Sequence, residues 1–371
     1  MSLANKPETA LSRNSANHAL TDRRAAFDLL KCLAAFLVIC IHAPWPGTVG
    51  ACFLPITRCA VPIFLMISGY YFVWNDSERQ ARQLARLLAI TVEANVLYIP
   101  WMLLFAELRG DGAFEHILHL LSLERAFEFL ILNESPFGYH LWYLGAVLYV
   151  VALFALLARR GYDKHLFILA PILFLGNLVL DAYAPFFFER DFSSLLTRNF
   201  LFLGIPCFCL GAFFRRHAAF FEQKLKTSHL IAAICLSGVG LILEGAWLSS
   251  MERAKHHAEF YLFALPLAGA LFCLAAKNAN AGQNTVFQKI GQNLALYIYI
   301  LHPMVNAILK QMATLTGASA VYHSVAPLIV FAVTAALAAF LKRISTKIQF
   351  GFSAPFMEKC LQRLGAIKTV A

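Results

Sequence analysis

About ten stretches of the chain, at 25–43, 51–73, 84–106, 140–158, 166–183, 197–214, 230–248, 260–276, 293–311 and 325–342, are apolar and long enough to cross a bilayer. Little else is left over. With 60% hydrophobic residues, 14% charged residues and a mean hydropathy of +0.64, the chain carries more apolar surface than a water-soluble core can hide. An even number of spans places both ends on one side, and the basic residues test that assignment, because cytoplasmic loops hold the excess of Lys and Arg. Of the 31, 22 fall on the side of the amino terminus, six on the other, and Lys31, Arg58 and Lys310 lie within spans. The sequence therefore predicts an all-α polytopic membrane protein of about ten transmembrane helices with both termini cytoplasmic. The expected parts are an N-terminal tail at 1–24, a transmembrane domain at 25–342 and a C-terminal tail at 343–371.

The first 24 residues are polar, hold Pro7, Asn14 and Asn17, and have no apolar core followed by a cleavage site, so they do not read as a removable signal peptide. A net charge of +10 is spread over short loops rather than gathered with aromatics, which argues against a nucleic-acid partner. Six of the nine cysteines, Cys32, Cys40, Cys207, Cys209, Cys235 and Cys273, sit inside apolar runs, and no disulfide framework or zinc spacing emerges. No metal is expected. The fifth and sixth windows are the least regular, interrupted by Pro171, Pro185 and Pro206. The longest outer segment, 107–139, contains FEHILHLLSLERAFEFLIL with helical apolar spacing. Two readings are open for it: a lid over a site, or a helix resting on lipid.

Since no extramembrane stretch is long enough to fold alone, any chemistry must sit among the helices, where an ionisable group costs several kcal/mol and marks a functional candidate. The first span concentrates such groups. Asp28 and Lys31 are three residues apart, and His42 follows Lys31 by eleven, which leaves them within about 20° of one face and roughly 16 Å apart along the axis. Histidine is the side chain best suited to take a proton from a sugar hydroxyl near neutral pH. The alternative is an interfacial Asp28–Lys31 pair with His42 capping the helix.

Other intramembrane polar groups each carry two readings. Ser68 and Gly69 in PIFLMISGYYF mark a closely packed helix or a substrate contact. Arg82 and Arg86, one turn apart on one face, either set topology or grip the phosphates of a nucleotide. Trp142 and Tyr143 are interfacial aromatics or a sugar platform. His140 falls at the depth of His42, and Tyr297 and His302 lie in the ninth span, where Pro303 frees a carbonyl that His302 can bind. Glu93, Asn95 and Glu244 are further polar groups in need of partners.

Taken in order, FDLLKCLAAFLVICIHA, PIFLMISGYYF, RQLARLLAI, LWYLGAVLYV and IGQNLALYIYILHP resemble the integral-membrane acyltransferase-3 family over roughly residues 22–345. The resemblance implies an O-acetyltransferase of the bacterial inner membrane. Its acyl donor would be cytoplasmic acetyl-coenzyme A, and its acceptor a hydroxyl on an envelope glycan such as a polysaccharide, lipopolysaccharide or lipid-linked sugar. It also implies that the first-span histidine, His42 here, is essential, by direct base catalysis or through a transient acyl-enzyme. Lys31 stands where the family often has Arg, and Arg82 with Arg86 is spaced one residue wider than the family's basic pair. No fused extracytoplasmic domain is expected, so the chain would act alone or hand its acyl group to a separate partner. The rival class is a transporter or flippase for an envelope intermediate, for which corresponding broken helices in two inverted halves would argue.

Overall fold

The computed structural model describes residues 24–74, 76–110, 120, 122–251, 258–344 and 350–363. Residues 1–23 of the expected N-terminal tail, 111–119 and 121 of the outer segment, and parts of the C-terminal tail lie outside them. Among the described residues the chain is helical throughout, with no strand. In chain order the helices are α1 (Ala25–His42), α2 (Gly47–Thr57), α3 (Ala60–Tyr70), α4 (Ser77–Arg109), α5 (Leu123–Ile131), α6 (Trp142–Arg159), α7 (Asp163–Leu180) and α8 (Ala184–Phe188). They continue with α9 (Ile205–Arg216), α10 (Ala218–Lys224), α11 (Thr227–Ser249), α12 (Ala264–Lys277), α13 (Val286–Asn293), α14 (Ala295–Leu315), α15 (Ser319–Ile344) and α16 (Ala354–Arg363).

Every expected window is helical, yet among the described residues only seven spans are both long and apolar enough to cross a membrane, or eight if a pair bent by 74° at His217 is one span. The shortfall has physical causes. The window at 260–276 gives only the 14-residue α12, because the N–H groups before it are taken by side-chain carboxyl groups in a non-helical turn: Phe260 N–H donates to Asp181 (2.8 Å), and Leu262 and Phe263 N–H donate to Glu244 (2.8 and 3.2 Å). In α14, 21 residues long, His302, Asn306 and Lys310 break the apolar run. The sixth window opens with a π-helical turn, Phe200–Gly204, where the Asn199 side chain accepts from the N–H groups of Leu201 and Phe202, and it then bends between α9 and α10.

The second span is two helices, α2 and α3, broken at Arg58 and Cys59 between Pro55 and Pro62. Its second half crosses α9 at backbone contact. A methyl group on Gly69 would lie 2.1 Å from the Phe208 carbonyl oxygen, and one on Gly211 would lie 1.9 Å from that of Met66. With no hydrophobic drive between helices in lipid, such close approach supplies the packing. The C-terminal turn of α4 ends at Gly110 in the left-handed region (φ 78°). Helix α5 starts at Ser122, whose hydroxyl accepts from Arg125 N–H, and leaves Leu123, Phe127 and Leu130 exposed along one side. That pattern fits a helix lying along a membrane surface.

Gly69→Val or Gly211→Val is expected to lower the melting temperature of the purified protein, with about 1–3 kcal/mol lost to overpacking. Gly238, which faces open space, is the control: Gly238→Ala is expected to leave the melting temperature unchanged or raise it.

Candidate functional site

Helix α1 stops at His42 because Ala43 leaves helical geometry and Pro44 and Pro46 follow. Its terminal carbonyl does not go unmet: Asn306 Nδ2 of α14 donates to the His42 oxygen at 3.0 Å, and Tyr322 O–H in turn donates to Asn306 Oδ1. In α14, Pro303 removes the N–H that would have bonded the Tyr299 carbonyl, and the His302 ring takes its place. His302 Nδ1 lies 2.8 Å from Tyr299 O and 3.0 Å from Ile298 O. Both partners are acceptors, so Nδ1 carries the proton and Nε2 is the lone-pair nitrogen, buried with no hydrogen-bond partner. The His302 ring centroid lies 5.0 Å from that of His42 and 5.5 Å from that of His140. Three histidines expected separately from three spans thus form one cluster.

Tyr139, one residue before His140, shares a hydrogen bond of 2.9 Å with His42 Nδ1. This leaves Nε2 as the nitrogen of His42 open to a substrate. His140 sits in a single 3-10 turn, Tyr139–Leu141, that opens α6, and its backbone oxygen accepts from Tyr299 O–H. A cavity of about 170 Å³ opens against His42 and His140, walled by Trp142, Tyr143, Tyr299, Asn177, Arg58, Arg198 and Glu259. Trp142 is largely buried and presents little ring surface to that space.

A second cavity, about 340 Å³, lies toward the other end of α1 and is walled by Lys31, Ser68, Arg86, Gln292, Tyr297, Lys342 and Phe350. Tyr143 and Tyr299 line both cavities, with ring centroids 5.3 Å apart, and Tyr143 is hydrogen-bonded to Ser68. The two tyrosines form the partition. Asp28 lines neither cavity. It is buried, pairs with Lys31 Nζ at 3.0 Å and faces Gln288 of α13 at 3.4 Å. The stripe Asp28–Lys31–His42 therefore serves two chambers, with Asp28 holding Lys31 in the wall of one and His42 in the wall of the other. Arg86 enters the basic chamber, whereas Arg82 lies on the exposed flank of α4, ion-paired with Glu78.

Sequence reasoning gave no role to the ionic network beside the histidine chamber. Arg198 bridges Glu134 (2.9 Å) and Glu259 (3.6 Å), and Arg58 pairs with Glu259 (3.0 Å). The four form a chain, Glu134–Arg198–Glu259–Arg58, so removing any one side chain leaves a poorly solvated neighbour short of a partner. Arg58 is a charge inside an apolar window and was legible as a candidate by that measure; Arg198, at the edge of the sixth window, was counted with the outer loops, and Glu259, in a loop, carried no such signal. Tyr139 and Phe350 were equally silent. Among the described residues no group of three or more His, Cys, Asp or Glu is arranged to hold a metal ion.

Asp181 stands just beyond α7, facing Glu259 and Arg58 and accepting the Phe260 N–H. Burial, reinforced by the nearby Glu259 carboxylate, pushes its pKa up to about 7. The unfolded carboxyl releases its proton near 4. Between these values the folded chain holds a proton that the unfolded chain has lost, so this group's contribution to stability falls as pH rises through that window and is constant above it. The melting temperature is expected to drop between pH 5 and pH 8, and Asp181→Asn, which keeps an acceptor for Phe260, is expected to flatten that drop.

A family model described as an acyltransferase domain matches residues 24–342. An amino-acid racemase of Enterococcus faecalis is 27% identical over 317 residues, which is 78% of this chain and 42% of that protein. A serine/alanine racemase of Enterococcus gallinarum is 27% identical over 303 residues, 76% of this chain and 40% of that protein. The chain thus spans less than half the length of these curated relatives. No solved structure matches it.

Proposed function

The chain belongs to the acyltransferase-3 family, and from that membership and its paired chambers we propose that it is an inner-membrane O-acyltransferase. It moves an acetyl group from cytoplasmic acetyl-coenzyme A to a hydroxyl of an envelope glycan or lipid-linked sugar. The observation that carries this reading is the division of labour along α1: a basic chamber at Lys31 and a histidine chamber at His42, meeting only at Tyr143 and Tyr299. A donor with phosphates at one end and a thioester at the other fits such a path. The racemase names belong to proteins more than twice as long as the shared stretch, and acyl transfer draws nothing from them.

In this reading the donor phosphates rest against Arg86, Lys31 and Lys342, which the second cavity brings together. The thioester passes the tyrosine pair to His42. There the acceptor hydroxyl oxygen attacks the thioester carbonyl carbon while His42 Nε2 takes the hydroxyl proton. The carbon–sulfur bond breaks with its electron pair on sulfur, and the thiolate leaves as the thiol after taking that proton from His42. Tyr139 at Nδ1 and the His302 ring hold the imidazole in place, as the orienting member does in other nucleophile–base arrangements.

The test is transfer of labelled acetyl groups from acetyl-coenzyme A to envelope glycans in membranes bearing the native protein or His42→Ala. Label is expected with the native protein and a loss of at least ~100-fold in the variant, with insertion unchanged. Undiminished label in the variant would remove His42 from the chemistry. No label with the native protein would remove acetyl-coenzyme A as donor, and movement of an unmodified sugar lipid across the membrane would then favour a flippase.

The same assay separates the two arginines. Arg86→Ala is expected to raise the KM for acetyl-coenzyme A about tenfold, the loss of one charge-assisted phosphate contact, and Arg82→Ala to raise it less.

A further inference from the structure

The family match ends at residue 342, yet the chain beyond it returns to the basic chamber. Phe350 lines that cavity with its ring centroid 5.2 Å from that of Tyr297. Gly351 follows with φ 89°, a left-handed backbone that other residues rarely adopt, and a methyl group there would lie 3.4 Å from Arg86 Cγ. From this turn the amphipathic helix α16 lies along α4.

What holds the turn is Glu93, a carboxylate well inside α4. It accepts hydrogen bonds from the N–H of Gly351, from the N–H of Ser353 (2.9 Å) and from the hydroxyl of Ser353 (2.6 Å). A carboxylate in an apolar span is costly unless its oxygens are met, and here the chain beyond the last span meets them. The anchor is therefore specific in register: it sets Phe350 opposite Tyr297, within a wall that also presents Arg86, Lys31 and Lys342. An aromatic pair beside three cations is the chemistry that receives a planar base attached to phosphates.

We infer that the segment Phe350–Ser353, contributed from outside the family-matched domain, is part of the donor site: Phe350 and Tyr297 clasp the nucleotide end of the acyl thioester, and Glu93 positions the clasp. This rests on the donor reading above. Phe350 acts on donor binding and has no part in the chemistry at His42, so its removal weakens capture of the donor without slowing transfer.

The experiment titrates acetyl-coenzyme A against the full-length chain in membranes, with the acceptor saturating, for the native protein and for Phe350→Ala, Phe350→Trp and Glu93→Ala. Phe350→Ala is expected to raise the donor KM about tenfold, the scale of one lost stacking contact, with kcat and the acceptor KM unchanged. Phe350→Trp is expected to restore a KM near the native value, and Glu93→Ala to behave as Phe350→Ala does. If Glu93→Ala does not fold, the two Phe350 variants decide. An unchanged donor KM in Phe350→Ala overturns the inference while leaving acyl transfer standing; a lowered KM overturns it by showing that the segment obstructs the donor. A native protein that neither binds nor turns over acetyl-coenzyme A overturns the donor reading, and the clasp with it.

Discussion

A polar group at membrane depth has no water to fall back on, so most must be met by another part of the chain. That requirement organises this molecule more than any apolar contact does. Asn95 finds Ser135 across 40 residues of sequence, Glu244 takes Tyr183 and the backbone before α12, Tyr98 reaches the carbonyl of Ile300, and Asn306 closes the end of α1. Tyr98–Ile300 and Asn306–His42 each tie one helix to another distant in sequence, and Asn95 and Glu244 tie a helix to a loop. Apolar side chains fill the space between helices, but any of many arrangements would satisfy them equally in lipid. The polar pairs choose one.

The same requirement explains why the helices are broken where the chambers lie. A continuous helix satisfies its own backbone and presents only side chains. A break at Arg58 and Cys59, the stop of α1 before Pro44, the N–H missing at Pro303 in α14 and the π-turn at Phe200–Gly204 each expose backbone groups that must be answered locally. Histidine answers one of them at Tyr299, and in doing so its ring is fixed beside His42 with its other nitrogen free of hydrogen bonds. Pro303 thus sets the orientation of the His302 ring beside His42.

Much of this was readable in the chain because cost leaves a mark. His42, His140 and His302 stood out as ionisable residues in apolar runs, and the helices bring all three together. Lys31, Ser68, Arg86 and Tyr297 stood out one at a time, and they share one cavity wall. Apolar windows located the helices but overstated the spans, since hydropathy summed over residues 260–276 does not register that Asp181, just beyond α7, and Glu244 of α11 take the N–H groups of the first part of that stretch and keep it out of the helix. Arg198 and Glu259 escaped notice because a charged residue in a loop is ordinary, and only the fold turns it inward. Phe350 is the extreme case: one more phenylalanine among 33, in a segment that read as a tail.

That segment bears on how specificity can be divided in a protein of this kind. The histidine chamber is built from α1, α3, α6, α7 and α14 and from the loops that carry Arg58, Tyr139, Arg198 and Glu259, all within the family-matched domain, and its parts meet through His302, Tyr139 and Tyr299. There is little room to vary them singly. The basic chamber is different: its cations stand on α1, α4 and α15, and part of its wall is Phe350, which follows the domain. Glu93 is the link, since its carboxylate would be an intolerable burden in α4 without Gly351 and Ser353 to meet it. A residue whose presence makes sense only in combination with a segment outside the shared domain shows that the two belong to one design. On the function proposed above, donor capture is the property that such a chain can tune through residues 350–353 while the chemistry assigned to His42 is left alone.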